Sequence, residues 1–211
     1  MPMTKPRYKL SERVGDPKGW SYTWDILDDV RLGSSCGFCG QGEQRLTYEV
    51  ARGDERTWIC QRCVGRYPVG GELEGARLDI RSARIQIHGL TARRKQQTCH
   101  EIIKAIQQRV IDTALEEVLV YFDRNLQLSP QRAATLFRTL GALDKPVDVR
   151  IFEISTRSIA HQDEYGALPD ADRATVWAAL TPIQKRRMVK LGYAPAGLSA
   201  RRRRGRARHE A

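Results

Sequence analysis

Apolar and polar residues alternate most cleanly in RLTYEVA (45–51), where Leu46, Tyr48 and Val50 share one face and Thr47 and Glu49 the other. A period of two is that of a half-buried strand. RGDE (52–55) supplies turn residues, with Gly53 and Asp54 at the tip, and RTWIC (56–60) returns as a second strand, so a hairpin is predicted. Upstream, WSYTWDIL places Trp20, Tyr22 and Trp24 on one face of a further short strand. That aromatic face reads as core packing against the hairpin in preference to a platform for stacking bases. Residues 73–90 also read as a strand segment. Leu78 and Ile80 share one parity and Ile85 and Ile87 the other, which puts a bulge or turn near Ser82.

The period then lengthens. From 98 to 122, apolar residues recur every three or four positions, at Cys99, Ile102, Ile103, Ile106, Val110, Ile111, Leu115, Val118, Leu119 and Phe122. This predicts one long helix with a broad buried stripe, although VLVYF at its end is β-branched enough to break away as a strand. Ser129 and Pro130 begin a second helix as cap and first residue, burying Ala133, Leu136, Phe137 and Leu140, with Gly141 as the stop. VDVRIFEI (147–154) alternates as a strand. Two short helices follow at 170–180 and 181–191, the second opened by Thr181-Pro182 and closed by Gly192.

The pattern predicts a mixed α+β chain. Its parts are an aromatic strand segment (1–32), a small hairpin module (33–70), a mainly helical α+β body (71–192) and a tail (193–211) too polar to fold alone. No run of about 18 apolar residues is present, and the N-terminus lacks the apolar centre of a secretory signal, so a soluble, cytoplasmic protein is expected, with no membrane partner.

Charge changes this picture most. The formal net charge is +11, from 36 basic and 25 acidic residues among 211. The segment 199–211 holds six arginines, including Arg201, Arg202, Arg203 and Arg204, against one glutamate, a net +5 that leaves +6 for the rest. Such an excess points to a polyanionic partner, nucleic acid first. Arginine outnumbers lysine 28 to 8. That favours planar contacts to phosphate, but it also reads as the coding bias of a bacterial or phage genome.

Four of the five cysteines form two Cys-x-x-Cys pairs, Cys36 with Cys39 and Cys60 with Cys63, twenty residues apart and at opposite ends of the hairpin. Each pair bends the backbone so that both thiolates reach one ion, and four soft ligands close a tetrahedral zinc shell with no position for water. One structural Zn²⁺ is therefore expected, ahead of a redox dithiol or an iron–sulfur cluster. In spacing and hairpin pattern, residues 33–68 resemble the four-cysteine zinc ribbons. The glycine- and proline-rich VGRYPVGG after Cys63 argues against a following helix, and so against a treble clef. Zinc ribbons occur in transcription, ribosomal, topoisomerase, phage and CRISPR-associated proteins. The resemblance thus implies metal binding firmly and nucleic-acid or protein contact more loosely.

Candidate phosphate contacts on the module are Arg45, Arg52, Arg56, Arg62 and Arg66, with Trp58 among the stacking candidates. Further basic clusters are Arg93, Arg94 and Lys95, and Lys185, Arg186, Arg187 and Lys190 on the last predicted helix. The final two helices invite a helix-turn-helix reading, but the basic residues spread over several faces and no cluster of base-reading amides accompanies them. Arg77, Arg81 and Arg84 read equally as a basic sheet face or a solvated one.

Catalytic patterns are poor: the histidines are scattered, and phosphate-binding loops and nucleophile elbows are absent. His161–Glu164 reads as a polar loop, Asp112 and Glu116 as a solvated helix face, and Cys99 as a buried structural thiol. The expectation is a non-catalytic zinc-bearing protein that binds RNA or DNA as an accessory or subunit of a larger complex, phage- or CRISPR-associated, with other protein subunits as partners. An adaptor docking through its basic tail is one alternative. A metal-dependent nuclease using Glu116, Asp123, Glu153 or Asp163 is the other.

Overall fold

Strand β1 (Ser21–Asp28) is the middle of a five-stranded sheet that also holds β2 (Leu46–Arg52), β3 (Glu55–Cys60), β4 (Gly70–Leu73) and β5 (Ala76–Leu78), in the order β3-β2-β1-β4-β5. The computed structural model describes residues 10–196, which divide into two units with the boundary in sequence between Thr98 and Cys99. The sheet crosses both positions, 32 and 70, at which the pattern suggested module boundaries. The predicted hairpin is β2 and β3, paired antiparallel from Thr47↔Cys60 to Arg52↔Glu55, with Gly53 at φ 57° in its turn. A glycine adopts that left-handed conformation without the strain a side chain would add.

The aromatic strand packs into the core as expected, but not with all three rings on one face. Register slips between Tyr22 and Ile26, and Trp24 takes a positive φ of 73° in the bulge. Trp20 and Tyr22 stay buried, whereas Trp24 is half-buried. The Trp24 indole Nε1–H donates to Glu72 O at 2.6 Å, and its ring fills the space a side chain on Gly71 would need.

Two helical assignments differ from the pattern. Residues 80–90 are not a strand but the start of helix α2 (Ile80–Gln107). The Asp79 carboxylate accepts the Ser82 N–H at 2.8 Å, and the positions that bury are Ala83, Ile87 and Thr91, four apart. Ile80 and Ile85, which suggested alternation, are exposed at 39% and 64%. Nor is 98–122 one helix: α2 ends at Gln107, and α3 (Thr113–Asn125) starts afresh with the Asp112 side chain accepting the Ala114 N–H. The β-branched run Val110-Ile111 disfavours helix at this point, and Ile111 leaves the stripe for solvent. VLVYF remains helical within α3.

In the second unit, α4 (Pro130–Thr139) is capped by Ser129 as predicted, though Gly141 falls inside a 3₁₀ turn, Leu140–Ala142, and does not end the helix. VDVRIFEI is not a strand. The Asp148 side chain accepts the Arg150 N–H, turning Val149–Ile151 into a 3₁₀ helix, and Ile154 alone bridges to Leu128. Residues 161–164, expected as loop, lie in α5 (Ile159–Ala167), capped by Ser158. The last two helices, α6 (Asp170–Ala179) and α7 (Pro182–Lys190), form where predicted, α7 with a full capping box between Thr181 and Gln184. Tyr193, expected at the start of the tail, instead packs its ring over Gly166. Arg201 to Arg204 lie outside the described residues. Among the described residues no helix is long and apolar enough to cross a membrane.

The sheet is held at one end by an ion pair. Arg45, just before β2, grips Asp28 at the end of β1 with both Nε (2.7 Å) and Nη2 (3.0 Å), and the Asp28 side chain is fully shielded from solvent. A buried carboxylate stripped of its partner is far costlier than the pair itself. Arg45→Ala is accordingly expected to destabilise the protein by about 3 kcal/mol, read as a lowered denaturant midpoint, while Arg45→Met with Asp28→Leu recovers most of the loss.

Candidate metal centre

The sulfurs of Cys36, Cys39, Cys60 and Cys63 all lie within 4.8 Å of one another, with Cys36–Cys63 at 3.7 Å and Cys39–Cys60 at 3.8 Å. A metal bonded tetrahedrally to four thiolates at about 2.3 Å requires about 3.8 Å between sulfurs, so the donor set fits a single ion. The first pair sits in a tight loop in which Gly40 N–H donates to Cys36 O at 2.8 Å and Cys36 N–H to Gln41 O at 2.9 Å. Gly37 N–H donates to Trp58 O at 2.8 Å, tying this loop to β3. A side chain at Gly37 would collide with the Thr57 hydroxyl, which explains why glycine follows the first cysteine.

The second pair corrects the ribbon expectation. Helix α1 (Gln61–Arg66) follows β3 directly, with Cys60 at its N-cap and Cys63 in its first turn. Loop, hairpin and helix in that order are the arrangement the glycine-rich sequence argued against. The helix survives Gly65 because its far end is capped from outside. Arg84 on α2 donates from Nε to Val64 O and from Nη2 to Tyr67 O, both at 3.1 Å. Arg84 is thus a structural cap and no part of a basic sheet face.

Thiol electrostatics favour a cation here. The Cys60 N–H donates to Cys36 Sγ at 3.2 Å. Hydrogen bonding from the Cys60 and Cys63 side chains holds the Cys36 thiol far below its ordinary range. The same contacts with Cys36 push Cys60 up to about 11 and Cys63 well above the ordinary range. Crowded sulfurs cannot all ionise unless a positive charge sits between them, which is the condition a bound metal meets. Around them Phe38, fully buried, meets Trp20 and Tyr67 edge-on at 5.6 and 5.8 Å between ring centroids, and Arg52 lies over Trp20 at 4.7 Å. Gly37, Phe38 and Arg84 belong to the site without being marked as such by the cysteine spacing. The CGFC stretch carries the signal for the first two, whereas nothing near Arg84 marks its carbonyl partners.

The predicted phosphate contacts are dispersed. Arg45 is committed to Asp28, while Arg52 donates to Val14 O and pairs with Glu55 at 2.7 Å. Arg56, 66% exposed, pairs with Glu49 at 3.2 Å across the hairpin, and Trp58 is half-buried. Arg62 and Arg66 are exposed on α1, Arg66 beside the Tyr67 ring. On α2, Arg93 is exposed and Arg94 and Lys95 are half-buried. In the second unit, Lys185 lies 5.8 Å from the Trp177 ring, Arg187 donates to Thr156 O at 3.4 Å, and Arg186 and Lys190 are exposed.

The carboxylates considered for a nuclease do not converge. Asp123 is bonded to His100 Nδ1 at 2.8 Å and Asp163 accepts from the Tyr193 hydroxyl at 3.3 Å. Among the described residues the four cysteines form the sole group of three or more metal-ligand side chains close enough to hold an ion. Cys99 is buried, its sulfur 3.8 Å from Ile151 O. No family model, curated protein or solved structure matches the chain.

Two outcomes are expected. Titrating metal into the metal-free protein at pH 7 releases at least two protons per ion, because Cys60 and Cys63 are neutral before binding. Affinity therefore falls as pH is lowered, measured by calorimetry in buffers of different ionisation enthalpy. Gly37→Ala costs about 1–3 kcal/mol in chemical unfolding, and Thr57→Ala added to it restores part of that loss.

Proposed function

We propose that the protein is a non-catalytic nucleic-acid-binding protein whose four cysteines hold one structural zinc ion. Four thiolates saturate a tetrahedral ion and leave no site for water or substrate, so the metal staples the fold and performs no Lewis-acid step. Zinc suits the site better than a multi-iron cluster, whose larger core needs its cysteine sulfurs further apart than 3.7 and 3.8 Å.

The observation that carries the nucleic-acid reading is the surplus of +11, with Arg62, Arg66, Arg93, Arg186 and Lys190 exposed on helices after Arg45, Arg52 and Arg84 have been taken up by the fold. Exposed guanidiniums and ammonium groups on rigid elements contact phosphates and set orientation, while releasing counterions from the polymer. With this basicity the chain fits an accessory role, clamping RNA or DNA beside other subunits in an assembly of bacterial, phage or CRISPR-associated kind.

Labelled duplex DNA, single-stranded DNA and RNA are each expected to bind at low salt. For the duplex, log affinity falls against log salt by about 0.9 per phosphate contact. Arg62→Ala with Arg66→Ala flattens that slope by about 2 while leaving the metal in place. Failure of all three polymers to bind at low salt overturns the reading.

A further inference from the structure

The helical unit contains a cleft of about 490 Å³ between residues 150–157 and the start of α7. Three guanidiniums line it, Arg150, Arg157 and Arg187, against one carboxylate, Glu153. Its volume is in the range of ligand sites, which span about 300–1,000 Å³. Its walls are fixed before any ligand arrives. Gln184 Nε2 donates to Ile154 O at 2.6 Å while its Oε1 accepts the Thr181 N–H at 2.8 Å, so one side chain ties α7 both to its own cap and to the facing segment. That segment is held from behind, with Leu128 N–H donating to Glu153 O and Ser155 N–H to Leu128 O.

The three arginines differ in what they have left to offer. Arg150 is paired with Asp148 at 2.7 Å. Arg187 spends one donor on Thr156 O. Arg157 is exposed, and among the described residues its side chain makes no hydrogen bond or ion pair. Two forks with open donors on a prebuilt wall match phosphate oxygens, which accept two parallel hydrogen bonds from a guanidinium. Beside them Ile183 is 66% exposed, an apolar surface of the kind a base or sugar can cover.

Ile183, Arg187 and Lys190 are spaced by four and three residues, so they form one stripe along α7. The stripe runs for about 10 Å, the length of about three phosphates counted along the axis of a stacked strand at ~3.4 Å each. A free nucleotide would fill the cleft but leave Lys190 unused. A duplex keeps its bases paired and away from Ile183.

We infer that this cleft binds a single nucleic-acid strand, with Arg157 and Arg187 on successive phosphates and Ile183 against a base. The assignment rests on the nucleic-acid reading above and names the surface and the form of the polymer.

The test uses the full metal-loaded chain and a labelled twelve-nucleotide strand, as RNA and as DNA, in fluorescence anisotropy. Arg157→Ala with Arg187→Ala is expected to weaken binding on the order of tenfold and to flatten the log–log salt slope by about 1.4, the share of two single-strand contacts. Ile183→Ala weakens binding severalfold with the salt slope unchanged. Lys104→Ala with Arg124→Ala, the same charge change elsewhere on this unit, leaves affinity within twofold. If the Arg157/Arg187 variant matches the Lys104/Arg124 control while the parent chain binds, the cleft assignment is wrong and the nucleic-acid reading stands. No strand binding by the parent chain at low salt overturns both. Competition by a mononucleotide or inorganic phosphate as effective as the strand's overturns the strand as occupant. Equal competition by poly-glutamate reduces the cleft to a bare patch of charge and overturns it as well.

Discussion

Four sulfur atoms confined within 4.8 Å of one another are the constraint on which the first unit depends. Helix α1 has six residues and a glycine among them, far below the length at which a helix holds itself together in water. It forms because Cys60 and Cys63 must face the Cys36–Cys39 loop, and because Arg84 closes its other end. Cys60 marks the residue where a strand stops and a helix starts. The sheet, the loop and the helix therefore share one fixed point, and Phe38 fills the space beside it.

Much of the framework was legible from local chemistry. The hairpin followed from alternation at Leu46, Tyr48 and Val50, and α4 and α7 followed from Ser129-Pro130 and Thr181-Pro182, signals that act within one turn. The clustering of the four cysteines was plain from spacing. What escaped depended on partners distant in sequence. VGRYPVGG looks unable to support a helix until Arg84, about twenty positions on, donates to the Val64 and Tyr67 carbonyls at the end of the short helix. In 80–90, Ile80 and Ile85 drew attention to a parity that the fold ignores, because the buried positions are Ala83, Ile87 and Thr91, of which Ala83 and Thr91 look unremarkable. In VDVRIFEI the alternation is genuine, but Asp148 bonds its own backbone two residues on and turns the chain before a strand can extend.

The same contrast governs the arginines. Composition marks the chain as basic without saying which guanidiniums are available. Arg45 neutralises a buried aspartate, Arg52 stacks on Trp20 while reaching Val14, and Arg84 caps a helix, so three arginines of the first unit serve as connectors. The planar fork suits both tasks, since the donors that grip phosphate also satisfy orphan carbonyls. Charge counted from sequence therefore overstates the surface open to a polyanion around the cysteines, and it passes over Arg157, which stands alone in its stretch of sequence.

The sulfur geometry has one more consequence, for redox chemistry. Cys36 faces Cys63 at 3.7 Å and Cys39 faces Cys60 at 3.8 Å, each contact joining the loop to the strand–helix junction. Without an ion, a peroxide that removes two electrons and two protons from each couple would leave disulfides across those contacts. Such bridges would staple the same two segments that an ion held by the four sulfurs would staple. The fold would then hold without an ion, while the oxidised sulfurs could not take one up until a reductant restored the thiols.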